Sequence, residues 1–274
     1  MNTHRIATLQ LHAAKLASDL ATLPTLNYTT SYNEFVHGEL RIFMLYSSTG
    51  SLAETHVSHY SNRGTPTPYW DALPYISQLI AEMFDLSSLK FARILQLCPN
   101  SVLFPHRDLL GDGNHFCRIH IPIQTDAGCY AGQDGIVFQM FTGEVWYLDV
   151  TRVHSAASFS PVIRSHVVLD FAATEDIATL LRVPPEPTRS IPTGRIVHRA
   201  RATSDEKRAV RALAALCTQD SYPDIMGLLI KWYFRRQMHA SAVFDWAAEI
   251  AKLSRDQGIV ARVAKDRASY LADY

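Results

Sequence analysis

"CRIHIPI", residues 117–123, decides the fold. Its apolar side chains alternate: Cys117, Ile119, Ile121 and Ile123 take one face of a strand, and Arg118 and His120 take the other. If the first set packs in a core, Arg118 and His120 line whatever the opposite face encloses. Around this stretch stand "LKFARILQL", "SVLF", "GIVFQM", "EVWYLD" and "SHVVLDF". They are short and rich in β-branched or aromatic residues, with Gly, Asp, Asn or Pro between them. Several short strands at close spacing, with no long helical segment among them, predict an antiparallel sandwich or barrel over about residues 89–175.

The flanks read differently. "ATLQLHAAKLASDLATL" carries apolar residues at helical intervals and predicts an N-terminal helix ending near Pro24. "SYNEFVHGELRIFMLY" runs through a turn at Gly38 into a strand, Arg41 to Tyr46. "STGSLAE" and "SNRGTPTPYW" read as loops, and "PYISQLIAEMFDL" as a second helix with Pro near its start. "VPPEPTRSIPTG" is a proline-rich connection. Beyond it, "SDEKRAVRALAALC", "PDIMGLLIKWYFRRQ", "SAVFDWAAEIAKLS" and "GIVARVAKDRASYLADY" predict three or four helices, with Ser204, Glu206 and Pro223 as start signals. The expected division is a β domain with its helical lead-in over 1–185 and a helical region over 186–274.

Composition narrows the function classes. The chain has 274 residues, 47% hydrophobic and 19% charged, enough for a sizeable core. Lys plus Arg and Asp plus Glu are both 26, so nothing points to nucleic acid. "KWYFRRQ" is basic and aromatic, but it reads as an amphipathic helix packing on the barrel or on a second subunit. No run of 18 apolar residues predicts a membrane span. His12, Lys15 and Asp19 interrupt the apolar N-terminus, which argues against a signal peptide. The four cysteines lack metal-finger spacing, so a cytoplasmic chain with reduced thiols is expected, as monomer or homodimer.

The chemistry lies in "FPHRDLL", residues 104–110, which sets His106 and Asp108 one residue apart. Alone, such a pair is more often a solvated strand end. "DVTRVHSAASFSPVIRSHVVLDF" supplies what it lacks: His154, 46 residues after Asp108 and just beyond a strand, then Arg164 ten residues later. Two histidines and one carboxylate on neighbouring strands match the facial triad of non-haem Fe(II) oxygenases. Such a set holds iron on one face and leaves positions open for a 2-oxo acid and O2. The planar fork of Arg164 suits the far carboxylate of 2-oxoglutarate, where Lys would offer only a point charge.

The sequence resembles the bacterial 2-oxoglutarate-dependent free-proline hydroxylases, relatives of the aspartyl/asparaginyl β-hydroxylases. The resemblance runs through "SYNEFVHGEL", "LPYISQLI", "ARILQL", "PHRD", "FCRIHIPI", "GEVWYLDVTRVHSAASF" and "RSHVVLDF", and more weakly through "YPDIMGLLIKWYF" and "FDWAAEIAK". It implies a mainly β fold with α: a double-stranded β-helix (jelly roll, cupin-like) core, N-terminal helices and a helical C-terminal region. It implies Fe(II) held by His106, Asp108 and His154, and 2-oxoglutarate bound by Arg164 with help from His120. Arg118 and Arg93 would take the carboxylate of a free amino acid. O2 is the co-substrate and ascorbate the usual reductant in vitro. The implied reaction is ring hydroxylation of L-proline or a relative such as L-pipecolic acid, releasing succinate and CO2. The loop "LLGDGNHF" departs from the family, with Gly111 and Gly113 where relatives are more acidic, so a six-membered ring fits the expectation as well.

Other residues invite weighing. An Arg93 salt bridge to a neighbouring carboxylate explains that residue nearly as well as a ligand contact. His166, two residues after Arg164, is expected to be structural. One of Trp146 and Tyr147 should pack in the core and the other on the sheet's far side. Tyr32, Asn33 and Phe35 are expected to form a loop packed on the barrel mouth rather than a lid. Two rival readings stand beside the main one: a peptidyl Asp, Asn or Pro hydroxylase, and a jelly-roll binding or sensing protein without turnover.

Overall fold

The computed structural model describes residues 2–55, 63–108, 116–174 and 176–272. Among them, twelve strands form two antiparallel sheets. In chain order they are β1 (His4–Thr8), β2 (Val36–His37), β3 (Leu40–Ser47), β4 (Thr65–Pro66), β5 (Leu89–Leu97) and β6 (Val102–His106). There follow β7 (Cys117–Gln124), β8 (Cys129–Gln133), β9 (Ile136–Phe138), β10 (Glu144–Leu148), β11 (His154–Ser158) and β12 (Arg164–Phe171). The larger sheet runs β1-β10-β7-β12-β5-β3-β4 and the smaller β2-β6-β11-β8-β9. From β5 to β12 the chain passes back and forth between them. It leaves β10-β7-β12-β5 in one sheet and β6-β11-β8-β9 in the other. Each sheet thus interleaves strands from both halves of this stretch, which is the winding of a jelly roll.

The alternation read in "CRIHIPI" is realised in β7. Cys117, Ile119, Ile121 and Ile123 join a core with Ala92, Ile94, Val167 and Leu169 on the outer face of the large sheet. That face is covered by α1 (Ala13–Thr22), α2 (Pro68–Ala72) and α3 (Pro74–Met83), which contribute Leu16, Tyr69, Ile76 and Ile80. Arg118 and His120 face inward, toward the small sheet.

A second core joins the small sheet to the C-terminal helices α4 (Ser204–Ala212), α5 (Tyr222–Arg235), α6 (Ala242–Ser254) and α7 (Gln257–Tyr270). Val102, Phe104, Val153 and Ala157 pack there against Met226, Ile230, Phe244 and Val263. The helical region therefore shares its core with the jelly roll. At Gly132 an added Cβ would stand 2.6 Å from the Tyr233 hydroxyl, so α5 approaches the sheet as closely as only Gly permits.

The N-terminal lead-in differs from the expectation in two places. The stretch expected to be helical starts at Ala7, but Ala7 and Thr8 instead close β1, on the edge of the large sheet and paired with β10. The helix begins only at Ala13, capped by the His12 ring accepting from the Lys15 amide at 3.4 Å. Ser, Thr, Asp and Asn are the usual capping residues, so the start carried no familiar signal. Part of the stretch read as loop forms α2, capped by Thr67 with Pro68 in its first turn. In α4 the cap is Thr203, one residue before Ser204, in a reciprocal box with Glu206. No helix among the described residues is long and apolar enough to cross a membrane.

Candidate metal centre and its pocket

The facing sheets enclose a cavity of about 390 Å³. His106 ends β6 and His154 begins β11, directly opposite in register, with ring centroids 4.3 Å apart. His106 reaches the cavity through a fault in the pairing. From His154 to Ala156 β11 advances two residues, while β6 advances three, from His106 to Leu103. The extra residue is a β-bulge beside Pro105, which has no N–H to offer the ladder. Val102 and Phe104 accordingly face the outer core, yet His106 turns inward with Leu103. A regular strand would have put His106 on the face of Phe104.

Asp108 completes the group. Its oxygens lie 3.3 Å from His106 Nε2 and 3.7 Å from His154 Nε2. One donor atom from each of the three residues falls within 4.8 Å of the others. The Nδ1 of His106 meets the Phe104 carbonyl at 2.7 Å, and that of His154 meets the Arg152 carbonyl at 3.1 Å. With Nδ1–H donating to those carbonyls, each Nε2 lone pair is left for a metal. Burial pushes His106 down to about 4 and His154 well below its ordinary value, so both rings are neutral near pH 7, as ligation requires. Backbone bonds hold the H-x-D segment: the Asp108 amide donates to Val150 (3.1 Å) and the Arg107 amide to Tyr270 (2.9 Å). Two imidazoles and a carboxylate on one side of a cavity suit an Fe(II)-type ion.

Deeper in the cavity lies a buried cation without a counterion. Arg164, 7% exposed, has no ion-pair partner among the described residues. Its nearest polar contact is Nη2 to His166 Nδ1 at 3.5 Å. Burial lowers it to about 10, so it stays charged. A buried, unpaired guanidinium is costly, and an incoming carboxylate would relieve that cost. His120 lines the same cavity with both ring nitrogens buried and unpartnered. Burial, then the nearby Arg118, pushes its pKa well down. His166 lies fully buried beside Arg164 and does not line the cavity.

Arg118 and Arg93 converge on a residue the sequence reading did not single out. Asp170, completely buried, accepts from Arg118 Nε at 2.6 Å and Nη2 at 3.3 Å, and pairs with Arg93 Nη2 at 3.0 Å. Arg118 Nη1 donates to Asp108. Arg118 thus commits all three nitrogens to carboxylates, one of them in the metal-type cluster. Arg93 keeps Nε and Nη1 buried without a partner. Alternation along β12 puts Arg164 and Asp170 on one face, and this was the signal available for Asp170.

Tyr32 and Phe35 line the cavity mouth, with the Phe35 ring 5.9 Å from His106. Asn33 turns away and accepts from the Leu40 amide at 2.9 Å. Tyr147 joins the outer core, while Trp146 packs on Phe138 with centroids 5.5 Å apart. Residues 109–115, which carry Gly111 and Gly113, lie outside the described residues. Ser269 and Tyr270, from the far end of the chain, also line the cavity and had no sequence signal.

Residues 41–174 match the aspartyl/asparaginyl β-hydroxylase family, and residues 179–273 match the C-terminal region of L-proline 3-hydroxylase. Over these two stretches the chain is similar to the aspartyl/asparaginyl and L-proline hydroxylases. It is 29% identical to an L-proline cis-4-hydroxylase of Rhizobium meliloti (strain 1021), across 96% of this chain and 94% of that protein. It is 26% identical to L-proline cis-3-hydroxylase 2 of a Streptomyces species, across 97% and 94%. A 2OG-Fe(II) oxygenase family oxidoreductase from Burkholderia pseudomallei aligns at a TM-score of 0.40 and 14% identity, over 61% of this chain and 85% of that one. The jelly roll rests on the strand order rather than on that likeness.

Proposed function

We propose that this protein is an Fe(II)/2-oxoglutarate-dependent dioxygenase that hydroxylates a ring C–H of a free cyclic amino acid, L-proline or a close relative such as L-pipecolic acid. One observation carries the reading: a single cavity holds the His106, Asp108 and His154 cluster together with a buried Arg164 that has no ion-pair partner among the described residues. His106, Asp108 and His154 would hold the iron. When bound, the metal supplies the coupling of 2-oxoglutarate decarboxylation by O2 to oxidation of a C–H bond, with succinate and CO2 as co-products.

The chain's own residues do the positioning. Arg164 pairs with the distal carboxylate of 2-oxoglutarate, and His120 contributes one of its unpartnered nitrogens. Arg93 offers its two free donors to the amino acid's carboxylate. Arg118 links that region to Asp108 and Asp170, which holds the substrate end and the iron end in one frame. Leu95, Leu103, Phe116 and Met140 line the cavity, receive the ring and exclude water. The reading includes a jelly-roll domain over 1–185 with a helical region over 186–274. It also includes a cytoplasmic location, supported by four free, buried cysteines, and a monomer or homodimer.

The test is to incubate purified protein with Fe(II), ascorbate and 2-oxoglutarate, adding L-proline or L-pipecolic acid singly. Succinate and a product one oxygen heavier are followed by mass spectrometry. Amino-acid-dependent product is the expected result. Absence of succinate under all conditions would overturn the reading.

A further inference from the structure

The last helix of the chain reaches the pocket. Along α7, Ile259, Val263, Asp266 and Tyr270 fall at helical spacing on one side. Ile259 and Val263 are buried in the core shared with the small sheet, and Asp266 accepts from the Tyr222 hydroxyl at 3.0 Å. This stripe fixes the helix along its length and delivers Tyr270 to the cavity mouth.

Several contacts meet at Tyr270, among them its ring against Phe244 with centroids 6.0 Å apart. Its carbonyl accepts from the Arg107 amide at 2.9 Å, between the two candidate ligands His106 and Asp108. Its hydroxyl donates to the Glu34 carbonyl at 3.2 Å. Its ring packs on Phe35 with centroids 5.0 Å apart, and edge-on to Phe104 at 5.9 Å. Phe35 in turn lies against His106. One residue therefore ties the segment Asn33–Phe35 at the mouth to the H-x-D segment beside the metal cluster.

We infer that Tyr270 is a positioning residue for the amino-acid substrate. It holds Phe35, and through the Phe35 ring Tyr32 (centroids 6.3 Å apart), as a fixed aromatic wall against which the substrate ring packs, at a set distance from His106 and Asp108. This rests on the dioxygenase reading given above. The wall stands at the mouth, whereas Arg164 lies deeper in the cavity, so its loss should act on the amino acid and not on 2-oxoglutarate. A ring held loosely leaves the target C–H out of place, so oxidation becomes uncoupled from hydroxylation.

The experiment compares the full-length chain with Tyr270→Ala and Tyr270→Phe by hydrogen exchange without metal and by steady-state kinetics with Fe(II). In Tyr270→Ala, exchange at the amides of residues 33–36 should quicken. The KM for the amino acid should rise about fivefold, the scale of one or two lost aromatic pairs. The KM for 2-oxoglutarate should stay within about twofold, and succinate should exceed hydroxylated product. Tyr270→Phe keeps the ring contacts and loses only the bond to Glu34, so it should restore most of the amino-acid KM. Should Tyr270→Ala fail to fold, Tyr270→Leu carries the same comparison. Unchanged exchange at residues 33–36 would overturn the inference. So would faster exchange with unchanged amino-acid KM and coupling, since the contact would then be structural only. A wild-type chain that makes no succinate defeats the dioxygenase reading instead, and the exchange data still report on the tether.

Discussion

His154 stands directly opposite His106 in the pairing of β11 with β6, and their rings come within 4.3 Å of each other, centroid to centroid. The pairing sets one candidate ligand from the other through the backbone ladder, and the bulge beside Pro105 turns His106 to the inward side that His154 takes by ordinary alternation. Asp108, two residues past the strand end, then needs only a short reach. The site is thus made by strand register more than by loop conformation, which favours a fixed geometry.

Removing one of the three should therefore be felt at the metal before it is felt in the fold. In His154→Ala, Co(II) affinity measured by titration should fall by more than the roughly 10–100-fold typical of losing an outer hydrogen-bond partner. Succinate formation should vanish, with far-UV circular dichroism unchanged. Undiminished Co(II) affinity would remove His154 from the ligand set.

Arg164 predicts a different signature. A buried guanidinium pairing with a dicarboxylate contributes to binding, and truncation should weaken that binding by about 2–5 kcal/mol. The KM for 2-oxoglutarate in Arg164→Ala should rise by roughly 30-fold or more, with the amino-acid KM little changed. Arg164→Lys keeps the charge without the planar fork and should fall between. If the 2-oxoglutarate KM does not move in Arg164→Ala, the anchor lies elsewhere.

The buried histidines make a pH prediction for the metal-free protein. Burial depresses His106 to about 4 and holds His120, His154 and His166 well below 6.5. Above the unfolded value both states are neutral and stability is flat. As pH falls below about 6.5 the unfolded chain takes up protons that the folded chain refuses, so stability is lost toward acid. Each such histidine contributes a slope of up to about 1.4 kcal/mol per pH unit in that window. Thermal melts from pH 8 to 4.5 should show a plateau and then a steep fall below about pH 6. A melting temperature level down to pH 4.5 would contradict the burial of these rings.

Much of this was legible because alternation is a strong local signal. Cys117 to Ile123 announced which side of β7 faced the cavity, and the spacing of His106, Asp108, His154 and Arg164 picked out four residues that line it. What escaped depended on pairing at long range. The bulge beside Pro105 exists only against β11. The strand at His4–Thr8 is defined by β10, about 140 residues away, and its own text runs into a helical pattern. Tyr270 reaches the pocket only through the packing of α7 on the small sheet, which no local pattern encodes.

Asp170 is the residue whose loss should expose the charge balance of the pocket. It is fully buried and neutralises parts of two arginines, accepting two bonds from Arg118 and pairing with Arg93 at 3.0 Å. Asp170→Asn keeps the shape and removes the charge. Arg118 retains Asp108, but Arg93 is left as a buried cation with no carboxylate partner among the described residues. Breaking a buried pair in this way costs about 3–5 kcal/mol. For a chain of this size that is a drop in melting temperature of the order of 10 °C. A small carboxylate that enters the pocket, such as L-proline, should recover part of the loss by pairing with Arg93, so the variant should gain more from added amino acid in a thermal shift than wild type does. Equal melting temperatures for Asp170→Asn and wild type would show that the two arginines find their balance elsewhere.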